Sequence, residues 1–187
     1  MSAELERHYR NIGQITVAAS GAETMLGAIV HAARGRDMWP GDDTWLNESA
    51  TNTQAVKRLQ VVISKFQEGA AGAGDAHKEP IEKLIKDLVD LKQEWHTNSD
   101  KRGKMIHGFV TIDFPMKDGA MTISTGEPIT YVRKHPKDGS QGLLGDDECS
   151  KLVESFDAIA RDAGKLMAPV ALAADKLKLD FSDKNWN

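Results

Sequence analysis

The sequence contains a single cysteine, Cys149, which excludes an internal disulfide and any cysteine-rich metal centre. It has no excess of basic residues: the formal net charge is −4, so a broadly cationic nucleic-acid-binding surface is not expected. No uninterrupted apolar run approaches the roughly 20 residues that span a bilayer, and membrane insertion is not expected. The amino terminus, Met1-Ser2-Ala3-Glu4-Leu5-Glu6-Arg7, lacks the basic and then apolar pattern of an export signal, so the expected location is the cytoplasm.

What is present is ordinary for a globular protein: 40% hydrophobic and 28% charged residues over 187 positions, enough for one domain with a core. The expected fold is mainly α: a four-helix bundle with a short antiparallel β ribbon inserted between the third and fourth helices. That domain is placed at 1–174, with a tail at 175–187 that is either frayed or docked.

Apolar residues at spacings of three and four predict a first helix from about Leu5 to Ala33, facing inward with Ile12, Ile15, Ala19, Ala22, Leu26, Ile29 and Val30. A second is expected from about Thr53 to Gln67, with Lys57, Arg58 and Lys65 outward. The glycines between Glu68 and Lys78 suggest a linker, and Pro80 suits the first residue of the third helix. After Gly108 the period changes to alternation. The runs 109–114, 121–124 and 129–133 predict the ribbon, spanning about 108–134, and 134–145 reads as loop. A fourth helix should open at Asp146 or Asp147 and be kinked or interrupted by Pro169.

The most distinctive stretch closes the third helix: Asp100-Lys101-Arg102-Gly103-Lys104-Met105-Ile106-His107-Gly108. At about 100° per residue, Arg102 falls on the apolar arc of Leu84, Leu88, Leu91 and Trp95. A guanidinium there cannot shed its charge and needs a counter-group. Glu23, at the edge of the first helix's apolar arc, is the candidate partner.

This Arg-x4-His arrangement, followed by Gly and a strand-like run, resembles the HEPN family of small helical bundles. The resemblance implies a four-helix core and a homodimer formed across the motif. In some members it implies metal-independent RNA cleavage. Carried onto this chain, Arg102 would hold phosphate oxygens and His107 would transfer protons, two chains completing one site. Lys101, Lys104, Arg133 and Lys134 would contact the RNA backbone. Gly103 stands where active members carry a polar residue, so the leading expectation is a non-catalytic binding or regulatory module. A metal-independent endoribonuclease is the alternative.

No cofactor and no metal are called for. His96, Asp100 and His107 do not converge on one helical face, and Gly-Ala-Ala-Gly-Ala-Gly at 69–74 lacks the strand and Lys-Ser/Thr of a phosphate loop. Cys149 could be activated by a helix N-terminus, but no triad accompanies it. His8 and His31 read as solvated.

Overall fold

The computed structural model describes residues 3–35, 52–72, 75–106, 145–181 and short backbone stretches between 109 and 141; side chains are described for 3–35, 55–72, 78–106 and 145–181. Four helices make up the body: α1 (Ala3–Ala33), α2 (Asn52–Ala71), α3 (Asp75–Ile106) and α4 (Asp146–Lys176). They form a ring in which each packs on the next, and α4 returns to α1 in the most extensive contact of the bundle. Asn11 meets Asp146 and Met25 lies against Gly164, so α1 and α4 run side by side in the same direction.

The periodic apolar faces explain the core. Ile15, Ala19, Ala22, Leu26 and Ile29 of α1 are fully buried, as are Leu59, Val62 and Phe66 of α2, Leu88 of α3, and Phe156, Ile159 and Ala163 of α4. Trp95 packs on Phe156 with ring centroids 5.4 Å apart, which ties the middle of α3 to α4. By length and composition α1 could cross a membrane, but half of its most apolar window is buried inside the bundle.

The expected fold needs correction. The residues whose side chains are described form four helices, with no strand or sheet among them; the protein is a helical bundle, and the inserted ribbon is not part of that body. Only backbone is described in the intervening region. Phe109–Asp113 pairs directly with Thr130–His135, bypassing the expected middle run. Gly139–Gln141, assigned to a loop, pairs with the other side of Thr130–His135. Alternation marks a segment able to be a strand, but it does not choose the partner.

Two helix ends also differ. α2 continues to Ala71, through residues expected to be linker, and α4 continues past Pro169 to Lys176. A proline inside a helix costs about 3 kcal/mol, but Val170 and Ala174 beyond it are buried, and their burial offsets the missing hydrogen bond. α3 starts at Asp75, so Pro80 lies inside it and not at its first position.

Glycine at position 69 has a packing reason. A Cβ there would lie 2.9 Å from Leu179 Cδ2 and 3.1 Å from Leu177 Cδ1, because the segment after α4 folds back across α2. That segment ends with Phe181 buried in the core, its ring 6.4 Å from that of Phe66. Lys65 lies over the Phe181 ring, 5.5 Å from its centroid, and donates to the Asp180 carbonyl. Residues 177–181 are therefore docked.

Candidate functional site

The site is built on the last two turns of α3. Leu88, Leu91 and Trp95 are buried and fix the rotation of the helix, while Met105 and Ile106 pack partly against the core. That rotation turns Arg102 toward α1, where its Nη1 donates to Glu23 Oε1 at 3.2 Å. Both groups are largely shielded, with side-chain exposures of 21% for Arg102 and 13% for Glu23. Burial raises the Glu23 carboxyl above its ordinary range, and the Arg102 guanidinium offsets part of that rise. The contact joins helices at opposite corners of the ring. It acts as a polar tie at the edge of an apolar core.

Lys101 and Lys104 are exposed on either side of Arg102, and Gly103 is half-buried. His107 lies outside the described residues, as does Gly108. Arg133 and Lys134 lie on the paired backbone stretch Thr130–His135, and their side chains are likewise outside the description. The structure thus brings Arg102 and Glu23 together and sets Lys101 and Lys104 beside them.

A second polar cluster lies where α4 meets α1. Asn11, itself buried, donates through Nδ2 to Asp146 Oδ1 at 3.0 Å; Arg10 Nη2 approaches the same oxygen at 3.2 Å and Arg7 Nε reaches Oδ2 at 3.8 Å. The Asn11 hydrogen bond, with the charges of Arg7 and Arg10, holds the Asp146 carboxyl below its ordinary range. One turn on, Cys149 is buried with Sγ 3.4 Å from Gln14 Oε1 and 3.5 Å from the Asn11 carbonyl. Burial, reinforced by Asp146, pushes its thiol up, so helix-terminus activation of this cysteine is corrected to an inert packed thiol.

The histidines of α1 also differ from expectation. His8 and His31 are buried, at 1% and 4% exposure, instead of solvated. The signal for His8 was available: it precedes Ile15 by seven residues, two helical turns, and so lies on the face that Leu5, Asn11 and Ile15 bury.

Sequence reasoning missed a groove between α2 and α3, lined by Val56, Lys57, Gln60, Lys92, Trp95, His96 and Ser99. Its residues come from two helices and include the core positions Val56 and Trp95, and only the pairing of those helices brings them together. On the other side of α3, a groove against α4 carries Asp87, Asp90, Glu94 and Asp162 with Lys83 and Lys165. Compared with known proteins, the chain matches no family model, no curated protein and no solved structure.

Proposed function

We propose that this protein is a HEPN-like bundle that works as a non-catalytic binding or regulatory module, as a homodimer. The observation carrying this reading is the Arg102–Glu23 contact. A guanidinium already engaged at 3.2 Å by a shielded carboxylate is committed to holding α3 against α1. To grip a phosphate it would have to leave that carboxylate uncompensated, which is costly in a partly buried setting. Gly103, with no side chain to assist a reacting group, favours the same reading.

The metal-independent endoribonuclease is the second reading. It is favoured by the exposed Lys101 and Lys104 flanking an Arg102 that keeps an edge toward solvent. In it, His107 supplies proton transfer and a second chain completes the site.

The separating test incubates the purified protein with single-stranded RNA in the presence of a chelator, alongside His107→Ala and Arg102→Ala variants. The module reading expects no cleavage by any of the three, a lowered melting temperature for Arg102→Ala, and a dimer mass in solution. Cleavage by the wild type that is lost in a folded His107→Ala protein overturns it in favour of the enzyme.

A further inference from the structure

The groove between α2 and α3 has a composition at odds with the rest of the chain. Its cationic and polar lining residues are Lys57 and Gln60 from the first half of α2, and Lys92, His96 and Ser99 from one face of α3. Val56 and Trp95 contribute its apolar lining, both of them buried. Among the described residues no carboxylate lines it, in a protein of net charge −4. Asp100, the next acidic residue along α3, is not among the lining groups.

The lysines are placed as ligand contacts are placed. Lys92 donates to Gln60 Oε1, a hydrogen bond that links the two walls of the groove. Among the described residues neither Lys57 nor Lys92 is in an ion pair, whereas Lys83 and Lys165 in the groove on the other side of α3 are held by Asp87 at 2.9 Å and Asp162 at 2.6 Å. Both lysines line one cleft, so an anion entering it would meet two positive charges. Lys57 and Lys92 would then act as point charges, and His96 and Ser99 as directional donors, on tetrahedral oxygens. The cavity volume is about 410 Å³, within the range of small-molecule sites and suited to a single nucleotide or sugar phosphate.

We infer that the α2–α3 groove binds the phosphate group of a small phosphorylated ligand of about mononucleotide size, through Lys57, Lys92, His96 and Ser99. The inference does not depend on the HEPN-like reading, since it uses neither Arg102 nor His107.

Isothermal titration calorimetry of the full chain at low ionic strength tests it, with AMP, ribose 5-phosphate, inorganic phosphate and phosphate-free adenosine as probes. AMP and ribose 5-phosphate are expected to bind and adenosine not to. The double variant Lys57→Ala/Lys92→Ala should weaken binding at least 10-fold with an unchanged melting temperature. The control Lys83→Ala/Lys165→Ala, in the opposite groove, should leave it as it was. Inorganic phosphate binding as tightly as AMP also supports the site and identifies free phosphate as its ligand. The inference is overturned if adenosine binds as well as AMP, if the Lys57/Lys92 double variant binds normally, or if no probe binds.

Discussion

Two polar clusters fasten α1 to other helices, and their surroundings make them different devices. At one, Asp146 is 54% exposed and collects Asn11, Arg10 and Arg7 around it. At the other, Glu23 and Arg102 face each other with little water. The same chemistry, a carboxylate and a guanidinium, is held below its ordinary proton affinity in the first case and above it in the second. Burial decides the difference, because desolvation opposes the charged form more strongly than one guanidinium at 3.2 Å favours it. An exposed cluster can lose a member to water; a shielded pair cannot.

Removing one partner of the shielded pair should therefore give the largest effect. Arg102→Ala is expected to cost about 2 to 4 kcal/mol of unfolding free energy, since it strands Glu23. The paired change Arg102→Met with Glu23→Gln should recover most of that, because it removes both charges at similar volume. Urea denaturation at neutral pH measures both. If Arg102→Ala costs nothing, the contrast between the two clusters is lost.

A control within α1 comes next. A Cβ at Gly21 would meet nothing within 4 Å, so Gly21→Ala should stabilise by up to about 1 kcal/mol through helix propensity alone. A smaller effect is expected for Asp146→Asn, whose carboxylate is exposed and whose neighbours can turn to solvent. A melting-temperature series places the three variants in order.

Acid titration sharpens the contrast further. The raised Glu23 carboxyl holds its proton more tightly in the native state, so its contribution is fully present below the ordinary value of 4.5 and is lost as pH rises through the folded value. The lowered Asp146 carboxyl contributes above its ordinary value of 3.8 and is lost as pH falls through the folded value. Glu23→Gln should flatten the decline in stability on going up from pH 4.5, and Asp146→Asn the decline on going down from pH 3.8. Denaturation midpoints across that range check both slopes.

The helical faces were legible because burial repeats with the helix: Ile15, Ala19, Ala22 and Leu26 are where the 3.6 period puts them. The positions of Glu23 and Arg102 on their own helices could be read in the same way, though not the distance between them. What could not be read depends on tertiary neighbours. Gly69 looked like a linker residue because the side chain it makes room for, Leu179, lies 110 positions away. Pro169 looked like an interruption because the burial of Val170 and Ala174 is invisible to propensity. Lys57 read only as an outward residue of the second helix, and nothing in the pattern joined it to Lys92 on the third. Pairing of the strand-like runs depends on loop closure, which alternation does not encode.

Phe181 closes the core over Phe66 from outside the four helices. Cutting the chain after Lys176 would leave every helix intact in sequence and still uncover an aromatic ring on α2. The inside of this bundle is thus finished by five residues that contribute no helix at all.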